Sequence, residues 1–198
     1  MTTESIRRRP GGRSAKVRSA VMAATLELLA ESGTGKPSIA EVAARAGVHE
    51  TSIYRRWKTS ERLILDAMVG YSAELLKTPD TGSVRGDLVA LGQELVDYGI
   101  SPLGEALMRT LAASVDDSEF ALTRSQFWAA RHDECRIVVE RAAARGELPA
   151  SIDSRMLLET FIAPIHFRLL MTREAMDTPF LELTADIAVA GITAVQSS

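Results

Sequence analysis

The chain has 198 residues, of which 46% are hydrophobic and 25% are charged. This composition is typical of a soluble globular protein that buries a full core, and it excludes a largely disordered chain. No apolar run approaches the roughly 18 residues of a membrane span, and the basic N-terminus continues into Pro10 and two glycines instead of a signal core. We therefore expect a cytoplasmic protein.

The single cysteine, Cys135, has no partner for an internal disulfide and no neighbouring pattern of metal ligands. It is predicted to be a buried or half-buried thiol. His132 and His166 lack a second ligand at helical spacing, and we interpret both as satisfied pocket or core side chains. No nucleophile, base and orienting group can be assembled from the sequence. We expect no catalytic site, no metal and no cofactor.

The net charge of -3 conceals a marked asymmetry along the chain. Through Arg62 there are 12 Lys and Arg against 6 Asp and Glu, whereas the remainder has 11 against 20. A basic front segment is either a solvated face or a surface for a polyanion. The second interpretation restricts nucleic-acid binding to the front of the chain.

Apolar periodicity predicts that the chain is helical from its first core residue. Apolar residues recur at helical spacing from Val17 to Leu28, and Gly33 then ends the first helix. Ser38 followed by Glu41 is a capping-box pattern, in which each side chain binds the backbone N–H of the other residue. The second helix should therefore begin at Ile39.

A glycine corner separates the second helix from the third. Gly47 can adopt the left-handed conformation that a sharp corner needs, and a third helix is predicted from about Glu50 to Arg56. Thr59 or Ser60 can cap a fourth helix. The order of two short helices around a corner predicts a helix-turn-helix, held to the first helix by its apolar residues.

The remaining chain is predicted to form about five more helices, which makes the protein all-α with about nine helices in total. Residues 78–83 are rich in Pro, Gly and Asp and should form a loop. Later helices are expected to begin near residues 84, 102, 116–118, 153 and 178, and Pro164 should bend the fourth of these. No strand or internal repeat is recognisable.

One face of the third helix is left polar when the apolar side packs inward. An α-helix fits the major groove of B-DNA, where Arg can form two hydrogen bonds with guanine and Glu can accept one from cytosine. The alternative is a solvated face on a tight turn. The polar set comprises His49, Glu50, Thr51, Ser52, Arg55 and Arg56, with Tyr54 and Lys58 at its edge.

These features resemble the TetR (tetracycline repressor) family of bacterial transcription regulators. The resemblance is sharp over residues 14–70, in the segments GRSAKVRSAVMAATLELLAESG, PSIAEVAARAGV and TSIYRRWKTSERLI. It is weaker beyond residue 80, where RGELPASIDSRMLLETFIAPIHFRLLM resembles the C-terminal domain of one subgroup. It implies a flexible basic arm (1–13), a helix-turn-helix DNA-binding domain (14–60) and a helical ligand-binding and dimerisation domain (61–198).

The resemblance also implies roles for individual residues. Ser38 and Tyr54 should contact phosphate, Arg56 and Lys58 should hold the backbone, and the other residues of the polar face lie at base-facing or groove-edge places. Ser60 departs from the pattern, because many relatives have lysine there. The arginines at positions 7–9 and 13 resemble arms that enter the minor groove, although a disordered solubilising tail is an equal alternative.

The family's C-terminal domain implies an apolar ligand pocket and a twofold interface. The candidate pocket residues, which could equally be ordinary core, are Tyr98, Met108, Phe127, Trp128, Arg131, Phe161 and His166. The last helices have apolar and small residues on more than one side, which favours a four-helix interface between two copies over a buried terminal helix. The candidate interface residues are Leu157, Phe161, Ile165, Phe180, Leu183, Ile187, Ala190, Gly191 and Ala194.

The predicted function is a homodimeric repressor that leaves a palindromic DNA operator when a small apolar inducer binds the C-terminal domain. Two alternatives stay open: an activator or co-repressor-dependent regulator, and a helical ligand carrier or enzyme that retains the first domain. No membrane partner is expected.

Overall fold

A computed structural model describes residues 12–32, 36–113 and 118–196, all of which are helix, turn or loop. The basic arm lies outside the described residues, except that Gly12 and Arg13 already belong to the first helix. The helices are α1 (Gly12–Ser32), α2 (Ile39–Ala46), α3 (Glu50–Trp57), α4 (Ser60–Leu75), α5 (Val84–Ile100), α6 (Pro102–Ala113), α7 (Ser118–Ala144), α8 (Ser154–Phe167) and α9 (Thr178–Gln196), with a π-helical turn at Arg168–Thr172.

Local signals around α2 and α3 act as predicted. The Ser38 hydroxyl accepts from the Glu41 N–H, while the Glu41 carboxylate accepts from the Ser38 N–H at 2.8 Å, so the capping box is confirmed. Gly47 has a φ of 65° and donates its N–H to carbonyls at the end of α2. Because L-residues rarely adopt this conformation, glycine is favoured at the corner.

The buried side chains form two clusters. The smaller one joins α1, α2, α3 and the start of α4 and consists of Val21, Ala24, Ile39, Val42, Ala43, Ile53, Trp57 and Leu63. We call this part the N-terminal head. The larger cluster unites the rest of α4 with α5 to α9, and we call that part the C-terminal bundle. Helix α4 therefore belongs to both, with Leu63 in one cluster and Ile64 and Met68 in the other.

The C-terminal bundle is closed by contacts between residues distant in sequence. Asp87 is fully buried near the start of α5 and accepts hydrogen bonds from the Thr81 N–H and hydroxyl and from Arg145 beyond α7. The Glu147 carboxylate accepts from the Val84 N–H at 2.6 Å. These bonds fix the predicted loop before α5 against the end of α7. They also lower the pKa values of both carboxyl groups, against the opposing effect of burial.

Helices α8 and α9 pack against each other and against α5. The proline in α8 removes one backbone donor, and the chain changes from α to π hydrogen bonding at Arg168, four residues later. Arg85 in α5 forms ion pairs with Glu182 and Asp186 in α9. The inner side of α9 is filled by Leu181, Ala185, Ala188 and Ile192.

Among the described helices, α9 is the only one long and apolar enough to cross a membrane by length and composition alone. The window Thr178–Val195 has a mean hydropathy of 1.3, which differs from the expectation that no segment approaches this character. Glu182 and Asp186 lie in the middle of that window and pair with α5. The helix is thus packed as part of the bundle, with one apolar side facing outward.

Candidate nucleic-acid interface and ligand cavity

The polar face of α3 lies on the protein surface. Tyr54 is 49% exposed, and Ser52 is intermediate in exposure. The opposite face is anchored, since Ile53 and Trp57 are buried in the head core. The other predicted DNA-contacting residues are all exposed: Ser38, His49, Glu50, Thr51, Arg55, Arg56 and Lys58.

A three-residue contact fixes α3 relative to α1 and α4. The Asp66 carboxylate in α4 accepts from the Trp57 indole N–H at 2.9 Å and from the Arg18 guanidinium at 3.1 and 3.2 Å. Arg56 stacks against the other side of Trp57, with its guanidinium carbon 5.4 Å from the ring centroid. Helix α4 therefore positions the exposed helix directly. Sequence analysis missed this contact because its partners lie up to 48 positions apart.

Ser38 and Lys58 have additional structural duties. The Ser38 hydroxyl donates to Glu41 at 2.7 Å while it caps α2, so a bond from this hydroxyl to a phosphate must replace the one to Glu41. Hydrogen bonds from Ser38 lower the pKa of the Glu41 carboxyl. Lys58 ends α3 with a φ of 70°, which turns the chain toward α4. At position 60, where the sequence departs from the family pattern, the Ser60 hydroxyl donates a hydrogen bond to the Glu61 carboxylate.

Two residues of α1 border the same surface and were not predicted to do so. Ser14 and Arg18 line a hollow together with His49, Ser52 and Arg55. Arg18 adds positive charge beside α3, although its ion pair with Asp66 offsets part of that charge. The basic character of the chain before Arg62 gave the general signal, but only packing places α1 next to the exposed helix.

A cavity of about 770 Å³ lies inside the C-terminal bundle. Six of the seven predicted pocket residues line it: Tyr98, Met108, Phe127, Trp128, Arg131 and His166. Phe161 does not. Its ring is fully buried in the core, where it contacts the backbone of Gly92 so closely that a Cβ there would lie 2.9 Å from the ring. The prediction that Phe161 lines the pocket is therefore wrong, because this residue belongs to the core.

The cavity contains polar atoms without hydrogen-bond partners among the described residues. These atoms are the Tyr98 hydroxyl and the Nε2 atoms of His132 and His166, all buried. The interpretation of both histidines as satisfied side chains is corrected, because both residues line the cavity and their buried Nε2 atoms have no hydrogen-bond partner among the described residues. Burial lowers the pKa of His166 to about 4 and raises that of the Tyr98 hydroxyl well above its usual value. Both groups are uncharged at neutral pH.

The charged groups at the cavity are mostly matched. Buried Arg131 pairs with Glu134 and also contacts the Cys135 sulfur at 3.8 Å. Cys135 is a buried thiol, as predicted, and burial raises its pKa. Arg155 and Glu159 pair at 2.7 Å in exposed positions on α8. No group of three or more potential metal-ligating side chains occurs within residues 12–32, 36–113 and 118–196.

Several lining residues were not recognised from the sequence. They include Leu76, Leu91, Leu95, Arg124, His132, Leu158 and Ile162. Leu76 has particular importance because it caps the C-terminal end of α4. The same helix holds Asp66 in its first half, so one helix touches both the cavity and the support of α3.

The predicted dimer residues divide into three groups by exposure. Leu157, Phe161 and Ile165 are completely buried inside the protomer, and their assignment to the interface is corrected, because they present no surface to a second copy. Phe180 is partly buried, and the Arg168 guanidinium covers its ring at 3.8 Å. The exposed members lie on the outer side of α9: Leu183, Ile187, Ala190, Gly191 and Ala194.

Comparison with known proteins agrees with this arrangement. Residues 21–67 match the model of the bacterial regulatory proteins of the tetR family, and residues 78–188 match the tetracyclin repressor-like C-terminal domain. The chain is 38% identical over 154 residues to the HTH-type transcriptional regulator AqdR of Rhodococcus erythropolis, covering 78% of this chain and 74% of that protein. A shorter match, 37% over 73 residues, covers 36% of this chain and 38% of the DNA-binding transcriptional repressor TetR of Mycobacteroides abscessus.

The fold is also similar to that of a solved member of this family. The crystal structure of the TetR family transcription regulator SCO0332 superposes with a TM-score of 0.73 at 27% identity, covering 89% of this chain and 98% of that one. Sequence, fold and exposed helix thus lead to one assignment, and it is a non-enzymatic one. The chain belongs to the TetR family of DNA-binding transcriptional regulators.

Proposed function

We propose that the protein is a homodimeric, cytoplasmic repressor that leaves a palindromic operator when an apolar small molecule occupies the C-terminal cavity. One observation carries this proposal: α4 touches the cavity through Leu76 and holds the DNA-facing helix through Asp66. A shape change at the cavity can therefore reach α3 without an intermediary element. The repressor named TetR among the relatives supports the repressing sense.

In this proposal α3 enters the major groove with its exposed face. Thr51, Ser52 and Arg55 contact base edges or the groove edge, whereas Tyr54, Arg56 and Lys58 bind phosphates and fix the register. His49 and Glu50 stand at the start of α3, where they adjust sequence preference. Buried Ile53 and Trp57 keep this helix rigid. Rigid presentation reduces the ordering cost of binding.

The dimer forms through the outer face of α9 and the neighbouring part of α8. Leu183 and Ile187 are 59% and 58% exposed, and small residues follow them toward the end of the helix. Small side chains allow close helix approach, and Met156 of α8 adds an exposed apolar side chain. A twofold axis at this face presents two α3 helices to the two halves of a palindrome.

Release of the operator follows from a population shift that the ligand causes. A ligand that fits the cavity better in one dimer shape favours that shape by the difference between its two affinities. When α4 moves, Trp57 and Arg18 move with Asp66, and the separation of the two α3 helices changes. The operator is lost when this separation no longer matches the groove spacing.

The experiment is a titration of the protein with the DNA upstream of its own gene at several salt concentrations. We expect tight binding by two protomers per site and a steep fall with salt, because phosphate neutralisation releases counterions. Arg55→Ala should weaken binding about 10- to 100-fold on the preferred site and relax base preference there. Tyr54→Phe should weaken binding to all sequences by a smaller factor.

Arg136→Ala is the matched control, since it removes an exposed arginine that pairs with Glu140 on α7, away from the head. The DNA affinity of this variant should equal that of the unmodified protein. Equal losses on every DNA sequence for Arg55→Ala would exclude a base-reading role. A complete lack of sequence preference in the unmodified protein would favour the ligand-carrier alternative, and stronger DNA binding with ligand would favour a co-repressor mechanism.

A further inference from the structure

The C-terminal cavity presents an unusual set of unpaired polar atoms. Tyr98 is only 4% exposed, yet its hydroxyl lacks a partner among the described residues, as do the Nε2 atoms of His132 and His166. Buried polar groups in proteins nearly always form hydrogen bonds, because an unmade bond costs free energy. Three such atoms around one cavity indicate groups that a ligand satisfies.

The charge state of these groups restricts the ligand. Burial keeps His166 neutral at pH 7, with one ring nitrogen able to donate and the other able to accept. The Tyr98 hydroxyl stays protonated and can donate. Arg131, the one buried cation on the cavity wall among the described residues, is already paired with Glu134. A carboxylate head placed beside Tyr98 would therefore meet a cation that is already paired, and the desolvation of that head would oppose binding. The same argument does not apply to a cationic head, because the buried Glu94 Oε2, one helical turn before Tyr98, also lacks a partner among the described residues.

The walls around these atoms are apolar and aromatic. Phe127 meets Trp128 edge to face at 5.2 Å, and Trp128 meets His166 in the same manner at 5.4 Å. Leucines of α5 and α8 complete the lining. An apolar cavity with few convergent polar groups is the usual form of a site for a mainly apolar small molecule.

We propose that the cavity binds an uncharged, mainly apolar molecule whose hydroxyl or carbonyl oxygen accepts a hydrogen bond from Tyr98, with His166 and His132 as further polar contacts. This inference rests on the proposed function, because it specifies the ligand of that regulator. It selects neutral amphiphiles over carboxylates.

Two probes with one tail and different heads test the ligand class: dodecan-1-ol and dodecanoate at pH 7.4, each used below the concentration at which it aggregates. The flexible tail can adapt to the cavity. The chain has two tryptophans, Trp128 at the cavity and Trp57 in the head core, so intrinsic tryptophan fluorescence reports binding without interference from the probes. We expect dodecan-1-ol to bind at least about tenfold more tightly than dodecanoate.

Tyr98→Phe tests the hydroxyl alone. It should weaken dodecan-1-ol binding about fivefold, the value of one hydrogen bond. The thermal midpoint of the unliganded variant should equal or exceed that of the unmodified protein, because the change removes an unpaired buried group. Tyr71→Phe is the matched control, since its ring lies 5.8 Å from Tyr98 and does not line the cavity. It should leave probe affinity unchanged.

The outcomes separate this inference from the proposed function. Equal or tighter binding of dodecanoate overturns it, and so does a lack of binding by both probes. An unchanged affinity in Tyr98→Phe, or a lowered midpoint of the unliganded variant, gives the hydroxyl a structural role and also overturns it. If dodecan-1-ol binds as expected but the operator complex persists, the ligand class stands and the release mechanism fails. Operator binding by the unliganded protein is measured separately.

Discussion

The N-terminal head and the C-terminal bundle are stabilised by contacts of different sequence range. In the head, the corner is made by neighbours: Ser38 bonds to Glu41, and Gly47 bonds back to the end of α2. In the bundle, Asp87 bonds to Arg145 and Arg85 bonds to Asp186, which are 58 and 101 positions apart. The corner of the head therefore depends on local geometry, whereas the cavity depends on long-range packing. The contact of Arg18 with Asp66, 48 positions apart, is the long-range element of the head.

This difference has a functional meaning. In the proposed function α3 needs a fixed shape, and it obtains this from the buried side chains of the head core and from the hydrogen bond between Trp57 and Asp66. A ligand cavity needs incomplete packing, and the bundle tolerates it because the surrounding core is large. Helix α4 joins the two parts of the molecule, since Leu63 belongs to the head core, Ile64 belongs to the bundle core and the C-cap residue Leu76 lines the cavity.

The largest effect is expected at the corner between α5 and α6, where Gly104 lies against the end of α5. Gly104→Ala places a Cβ against the backbone carbonyl oxygen of Tyr98, which cannot move as a flexible side chain would. We expect a loss of about 3 kcal/mol in unfolding free energy, at the upper end of the cost of overpacking. Urea denaturation followed by circular dichroism measures it.

Gly70→Ala provides the control for that substitution. Gly70 is exposed in α4, and a Cβ there comes no closer than 4.0 Å to Met22. The same change should therefore raise the unfolding free energy by about 0.5–1 kcal/mol through helix propensity. Similar effects at both positions would contradict the close approach of Gly104 to the Tyr98 carbonyl.

The next prediction concerns the unfolding free energy at acid pH, which depends on the buried His166 in the cavity wall. The folded-state pKa of His166 is about 4, below its ordinary 6.5, so the unfolded chain binds this proton more readily. The stability linked to His166 is fully present above pH 6.5 and is lost as the pH falls toward 4, by about 3 kcal/mol at pH 4. His166→Phe keeps an aromatic ring beside Trp128 and should remove this loss. Denaturation between pH 7.5 and 4 compares the two proteins.

Asp87→Asn distinguishes the loss of stability between pH 6.5 and 4 from acid unfolding caused by protonation of carboxylates. The pKa of Asp87 is lowered, so its stabilisation is present above its ordinary value of 3.8 and disappears only below it. The variant should retain the loss between pH 6.5 and 4. If His166→Phe retains that loss as well, the buried state of His166 in solution differs from the one described.

Sequence reasoning was most successful where structure is local. The start of α2, the glycine corner and the capped start of α4 follow from residues within a few positions, and all three are confirmed. The exposed polar face of α3 follows from the same periodicity, because burying Ile53 forces its neighbours outward.

It was less successful for the bundle, for a physical reason. Periodicity shows that Phe161 faces inward, but not whether it meets a cavity or the backbone of Gly92. The same ambiguity placed Leu157 and Ile165 at a dimer surface, although they fill the protomer core. The unpaired atom of His132 could not be recognised either, because satisfaction of a buried polar group depends on neighbours from several helices.

The smallest effect compares two equivalent caps, one in each region. Ser38 caps α2 in the head, and Ser83 caps α5 in the bundle by accepting from the Gly86 N–H at 3.1 Å. Ser38→Ala and Ser83→Ala should each lower the unfolding free energy by about 1 kcal/mol, because each leaves a helix N–H without its acceptor. Stability alone cannot separate them.

Operator binding should separate them, because only Ser38 belongs to the head, where the DNA contacts are proposed. Its hydroxyl now donates to Glu41 and becomes available to a phosphate if that bond is exchanged. Ser38→Ala should therefore weaken operator affinity several-fold, the value of one phosphate hydrogen bond, while Ser83→Ala leaves it unchanged. Equal operator affinities for the two variants would mean that Ser38 serves only as a helix cap, and that the phosphate contacts of the head come from Tyr54, Arg56 and Lys58.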